Sequence, residues 1–208
     1  MKKISTLFTG GILSLVALAL FAFKLSDKAP VSKVDSQKAF AQTVITLDGE
    51  DKMLRELAGD KGTLVVFSCN TCPFVLAWEG RYNALNEVCK ENGVNMVLVN
   101  SNEAFRAKED SHENMKKHAE KEGYTMPYVM DQNHAIADLL GAKTTPHVFL
   151  CNNNFEVVYE GAIDDNHKNA AEVQHTYAAD AVKALAAGKE VSVAESKALG
   201  CSIKRVNK

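Results

Sequence analysis

The sequence has no surplus of charge, no dense cysteine framework and no repeat. Lys and Arg number 24 against 26 Asp and Glu, a formal net charge of −2 over 208 residues. Without a basic surplus there is no electrostatic reason to expect nucleic acid as a partner. Five cysteines are too few and too scattered to staple a small disulfide-framed domain. The six histidines form no His-x-x-x-His pair, so half of a common zinc site is missing and no metal is expected. Low-complexity tracts are missing as well. With 46% apolar and 24% charged residues, the chain is neither disordered, collagenous nor a multi-span membrane protein. Its length fits one domain, or one domain with an appendage.

What is present begins with a targeting segment. Lys2 and Lys3 precede an uncharged run from Ile4 to Phe23. A short basic region followed by an apolar one is the secretory pattern, and the run is also long enough to span a bilayer as a helix. Residues 1–23 are therefore expected to be a signal peptide or membrane anchor, and the protein to be exported, either periplasmic or anchored facing outward. No cysteine follows directly, which argues against lipid anchoring. Residues 24–42 are polar and read as a linker, residues 43–190 as the folded domain, and residues 191–208 as a tail.

Within the domain, Thr43 to Leu47 alternates weakly and ends at Asp48-Gly49, a turn dipeptide that suggests a short edge strand or hairpin. Leu64 to Phe67 and Met96 to Val99 are short apolar runs, as in strands buried on both faces. Phe74, Trp78, Tyr82, Leu85 and Cys89 recur at helical spacing, with Gly93 as the stop. A charged helix stopped by Gly123 and a short one stopped by Gly141 follow. Val148–Leu150 and Val157–Tyr159 flank Asn152-Asn153-Asn154 and predict an antiparallel hairpin, and Ala178, Val182 and Leu185 define a final helix. Such alternation predicts an α/β mixed central sheet with helices on both faces.

Cys69-Asn70-Thr71-Cys72-Pro73 lies between the first buried strand and the first long helix. A helix N-terminus offers unpaired N–H groups and a positive dipole end, both of which favour a thiolate. Two thiols separated by two residues can close a small disulfide, and one that attacks beside one that resolves is the apparatus of thiol exchange. Position suggests that Cys69, ahead of the helix, is the more exposed. Thr144-Thr145-Pro146-His147 precedes a strand, where a cis bond before Pro146 would leave the preceding backbone open for pairing.

These stretches, with Val99-Asn100-Ser101-Asn102, Pro127-Tyr128, Tyr159 to Asp165 and the tail Gly200-Cys201-Ser202-Ile203-Lys204, resemble the thioredoxin-fold superfamily. The closer likeness is to its peroxiredoxin-like bacterial branch, the redoxins, over about residues 43–190. The resemblance implies a thioredoxin-like fold with Cys69 as nucleophile, Cys72 as resolving thiol, and Thr145-Pro146 as a cis-proline substrate platform. Two departures stand out. Thr63 occupies the place of the buried aspartate of thioredoxins, and Cys69 occupies the place of the peroxiredoxin threonine.

Other residues are set aside. Cys89 and Cys151 read as structural thiols, Cys201 as a free or packed tail cysteine ahead of the alternative of a third redox thiol, Trp78 and Tyr82 as core, and Asp164-Asp165 as a solvated loop. The leading expectation is an exported thiol–disulfide oxidoreductase with no cofactor. Its partners would be protein or small-molecule thiols and disulfides and a redox donor protein, with membrane contact only through the N-terminal segment. The alternatives are a thiol-dependent peroxidase and, below it, a copper-binding protein using the cysteines with His147.

Overall fold

A computed structural model describes residues 34–206. The expected N-terminal export segment lies outside the described residues. No helix among the described residues is long and apolar enough to cross a membrane.

The sheet is organised by its most apolar segment. In β3 (Gly62–Phe67) all six residues are buried, which only a central strand allows. It pairs in parallel with β4 (Val94–Asn100), in the register Leu64 to Met96 and Phe67 to Val99. On its other side it pairs antiparallel with β7 (His147–Asn152), which turns through the asparagine run into β8 (Val157–Gly161). β4 continues in parallel to β5 (Tyr128–Asp131), and β5 meets β1 (Thr43–Thr46) antiparallel. A hairpin then adds β2 (Asp51–Met53) at the edge. The order is β2-β1-β5-β4-β3-β7-β8, a mixed sheet of seven strands.

Helices cover both faces. α2 (Pro73–Trp78), α3 (Tyr82–Glu91), α4 (His112–Glu122) and α6 (Tyr177–Ala186) pack on one face, around Val66, Trp78, Tyr82, Met115 and Val182. α1 (Ser36–Phe40) and α5 (Ala135–Leu140) pack on the other, around Phe40, Val65, Phe67 and Leu140. Burying each such side chain contributes roughly 1.5–3 kcal/mol. A second, two-stranded sheet joins β6 (Thr144–Thr145) to β9 (Cys201–Ser202).

Three expectations need correction. The stretch read as a linker ends in α1, where Ala39 and Phe40 are fully buried, so the packed region starts before residue 43. The single helix read from Phe74 to Cys89 is two, broken by a tight turn over Glu79–Arg81 that contains Gly80. The tail is built into the fold. Its backbone joins Glu160 of β8 through the Glu160 N–H to Ala194 and the Ser196 N–H to Glu160, and its end pairs with β6.

Candidate active site

The cysteine loop leaves β3 with the Ser68 N–H donating to the Val99 carbonyl at 2.9 Å. It turns through Asn70-Thr71 and enters α2 at Pro73, whose missing N–H costs nothing in the first helical turn. Asp110 holds it in place. This fully buried carboxylate accepts from the Asn70 backbone N–H at 2.9 Å, the Asn100 amide at 2.8 Å and the Asn102 amide at 2.9 Å. The Tyr128 hydroxyl donates to the Asn70 side chain at 3.0 Å, and Arg106 donates to the Asn100 and Asp110 carbonyls. Every heavy polar group in this cluster has a partner, as burial demands.

Thr145 and Pro146, expected as a substrate platform, lie against both cysteines. The Thr145–Pro146 bond is cis. Cys69 Sγ is 3.3 Å from Thr145 Oγ1, and the thiol form of Cys72 donates to the Thr145 carbonyl at 3.1 Å. The edge that sequence reading left open for a client is, however, taken. β9 pairs with β6 and sets Cys201 opposite Thr145.

The helix begins after Cys72, so Cys72 and not Cys69 is its N-cap. Exposure follows: Cys69 is 2% exposed and Cys72 is 5% exposed, so Cys69 is not the more accessible thiol. Charge follows as well. The hydrogen bond from Cys69 holds the Cys72 thiol well below the ordinary range, against the opposing effect of burial. The Cys201 thiol and the Val75 and Cys201 N–H groups assist it. The Val75 N–H makes no full capping bond, but it lies near enough to favour the charged form. Cys69 moves the other way, because it keeps the shared proton and because it is buried. Within the pair, Cys72 is thus held the more acidic and Cys69 the less.

The remaining candidates sort themselves by face. His147, the histidine the copper reading needs, packs its ring against Phe149 at 4.5 Å and accepts from the Lys143 N–H at 3.3 Å. Burial first, and then the Lys143 charge, push its pKa down to about 4, and it does not join the cysteines. Thr63 shares the face of Val65 and Phe67, away from the thiols, and its buried hydroxyl has no partner, so it offers Cys72 no proton path. Cys89 and Cys151 are fully buried, the first near the end of α3 and the second on β7 opposite Thr63. Asp164 is a correction: it is buried and accepts from Trp78 Nε1 at 2.8 Å and from Arg81, while Asp165 is exposed. It ties α2 and the turn after it to the loop beyond β8. Sequence reading missed Asp110 and the pairing of Cys201 with Thr145. The polar Asn100-Ser101-Asn102 run closing a buried strand was the available signal for the first, and the Gly200-Cys201 tail motif for the second.

Glu79, His118 and Glu122 form a cluster of a geometry that could hold an ion. Glu79 there accepts from His118 at 2.7 Å and from the Tyr124 hydroxyl at 3.0 Å, which is sufficient reason for its burial.

The Redoxin family model matches residues 24–193. No curated protein sequence matches the chain significantly. Among solved structures, an uncharacterized conserved protein from Geobacillus kaustophilus is 33% identical with a TM-score of 0.74, covering 81% of this chain and 91% of its own. The bacterioferritin comigratory protein of Xanthomonas campestris, described for alkyl peroxide reduction, is 18% identical with a TM-score of 0.56, over 77% of this chain and 98% of its own. A secreted disulfide oxidoreductase of Mycobacterium tuberculosis is 16% identical with a TM-score of 0.51, over 73% and 98%. The last two establish only that the mixed sheet is a thioredoxin-like fold. The family match runs along most of the chain, and a relative one-third identical covers four-fifths of it; the protein belongs to the Redoxin family and is an oxidoreductase of the thiol-redox class.

Proposed function

We propose that this chain is an exported thiol–disulfide oxidoreductase in which Cys72 is the attacking thiolate and Cys69 the thiol that resolves it. The observation that supports this reading is the position of the pair, with Cys72 at the helix N-cap and Thr145, beside the cis proline, against both sulfurs. The roles are the reverse of those suggested by chain order, because the helix starts at Pro73, four residues later than Cys69. Cys72 would attack one sulfur of a disulfide R–S–S–R′, forming Cys72–S–S–R and expelling R′S⁻, which takes the proton held by Cys69. Cys69 would then attack the Cys72 sulfur, expel RS⁻ and close the Cys69–Cys72 disulfide. Two electrons pass from the protein to the client, and a donor dithiol protein would return them.

The test is single-turnover reduction of insulin by the fully reduced protein. Cys72→Ser should release no thiol, whereas Cys69→Ser should still release the first one. A Cys69→Ser protein that fails to attack, beside an active Cys72→Ser protein, would reverse the assignment. A peroxidase reading is favoured by the same lowered thiolate, which would attack a peroxide oxygen to give a sulfenic acid that Cys69 resolves with loss of water. Fast consumption of hydrogen peroxide by the wild type with no insulin reduction would select it. Export rests on Lys2, Lys3 and the uncharged run to Phe23, and fractionation of expressing cells checks it.

A further inference from the structure

The tail brings a third thiol to the site. Beyond α6 the chain crosses β8, where Ser196 is hydrogen-bonded to the Ala162 N–H at 2.9 Å and to Tyr159 at 2.7 Å. It then crosses the cysteine loop and is fixed again by the Ile203 N–H to the Lys143 carbonyl at 3.0 Å, the Lys204 N–H to Asn102 at 2.9 Å and Arg205 to Asp138 at 2.8 Å. Ile203 is buried in the second core. Between these anchors Cys201 stands opposite Thr145 in antiparallel register. Thr145, its partner across the two strands, is the residue whose carbonyl accepts from Cys72 Sγ at 3.1 Å, and Cys201 packs against the core cluster that holds Cys69 and Cys72. Gly200 makes this approach possible: a Cβ there would stand 2.3 Å from the Thr145 carbonyl oxygen, a distance no side chain tolerates.

This is the arrangement a bound disulfide client needs, an extended strand paired at the cis-proline loop and carrying a sulfur, supplied by the chain itself. Cys69 and Cys72 are almost wholly buried, whereas Cys201 is partly exposed. We propose that Cys201 is a third redox thiol of this site, which exchanges with the Cys69–Cys72 pair through Cys72 and carries the disulfide to where an external dithiol can reach it. The inference rests on the thiol-exchange reading above. In the oxidised pair, the Cys201 thiolate attacks the Cys72 sulfur. The Cys72–Cys201 bond forms, the Cys69–Cys72 bond breaks, and its electron pair leaves on the Cys69 sulfur, which takes up the proton that Cys201 gave. That exchange is redox-neutral. An external dithiol of the thioredoxin type then attacks the Cys201 sulfur, passes two electrons in, and departs as its own disulfide.

Disulfide mapping by mass spectrometry tests this on the full-length reduced protein, oxidised with one equivalent of oxidised glutathione and quenched in acid. The wild type should hold both Cys69–Cys72 and Cys72–Cys201. Cys69→Ser should convert almost wholly to Cys72–Cys201, and Gly200→Ala, which keeps all three thiols, should lose that bridge while forming Cys69–Cys72. Steady-state turnover of Cys201→Ser with a thioredoxin-type donor should fall by about tenfold. A wild type with Cys69–Cys72 alone, together with a Cys69→Ser protein that ends as a Cys72–glutathione adduct with Cys201 free, would overturn the proposal. Failure of Cys201→Ser to form Cys69–Cys72 would instead count against the thiol-exchange reading of the pair, so the two failures are distinct.

Discussion

The protein contains two kinds of buried cysteine, and their contrast shows what sets the acidity of a thiol. Cys89, on α3, and Cys151, at the end of β7, are fully buried, and burial alone pushes each of them up to about 12. Cys72 is nearly as buried, yet its pKa moves down. The difference is the donors. Nothing but desolvation acts on Cys89 and Cys151, whereas Cys69, Cys201 and two backbone N–H groups act on the Cys72 sulfur. Seclusion without donors raises a thiol's pKa, and converging donors reverse that and favour the thiolate.

The sharpest way to break this contrast is to delete one sulfur of each kind. Cys72→Ser should lower insulin-reduction kcat/KM by on the order of a thousandfold or more, since the nucleophile itself is gone. Cys89→Ala should leave that rate unchanged and cost about 1 kcal/mol in denaturant unfolding, as a small loss of buried volume does. Equal effects from the two would mean that position on the sheet, not donor geometry, decides reactivity.

The next largest effect falls on the support beneath the loop. Asp110→Ala leaves the Asn70 N–H and the Asn100 and Asn102 amides without their acceptor inside the protein. We expect a loss of roughly 3 kcal/mol by urea unfolding, and slower exchange from a loosened cysteine loop. Asp164→Ala, which unseats Trp78 and Arg81 but not the loop itself, should lose stability with a smaller fall in rate.

A smaller effect separates charge from position. The rate of iodoacetamide alkylation at Cys72 should rise through an inflection well below the ordinary thiol range near 8.5, and Cys69→Ala should move that inflection upward by removing the principal donor. Because the folded thiol titrates lower than the unfolded one, its contribution to stability is full above the unfolded value and disappears as pH falls through the folded value. The stability advantage of the reduced wild type over Cys72→Ser should therefore grow between weakly acidic pH and about 8.5. The smallest effect belongs to His147: with its ring against Phe149 and neutral at any pH above about 4, His147→Phe should change the exchange rate by less than about twofold.

The legible parts of this fold were those in which one short-range pattern suffices. β3 and β4 show as unbroken apolar runs, the β7–β8 hairpin as two such runs around three asparagines, and α4 and α5 end at glycines in the left-handed region. What escaped depends on distant partners. α1 carries only Ala39 and Phe40 into the core from a polar stretch, and β6 and β9 are two residues each, held by each other. In the site, the Cys-x-x-Cys spacing and Thr145-Pro146 were visible. The order of acidity within the pair was not, because it turns on where the helix starts and on a cysteine more than a hundred residues downstream. Asp110 sits forty residues beyond the loop it holds, beside an acidic residue and amid polar neighbours that resemble an ordinary surface loop.

The passage of the tail across β8 has a colloidal consequence. β8 is the last strand of the sheet, and an exposed last strand offers unpaired backbone groups to any other chain. Here Glu160 spends both its N–H and its carbonyl on Ala194 and Ser196 of the same chain. Gly161, at φ +147°, lets Ser196 lie so close that a Cβ would meet its hydroxyl oxygen at 2.2 Å. The C-terminal part of that edge is thereby taken by the chain's own tail. A chain ending before residue 194 would lose its third thiol and at the same time uncover a sticky rim, so its first symptom in concentrated solution would be self-association, ahead of any loss of the central sheet.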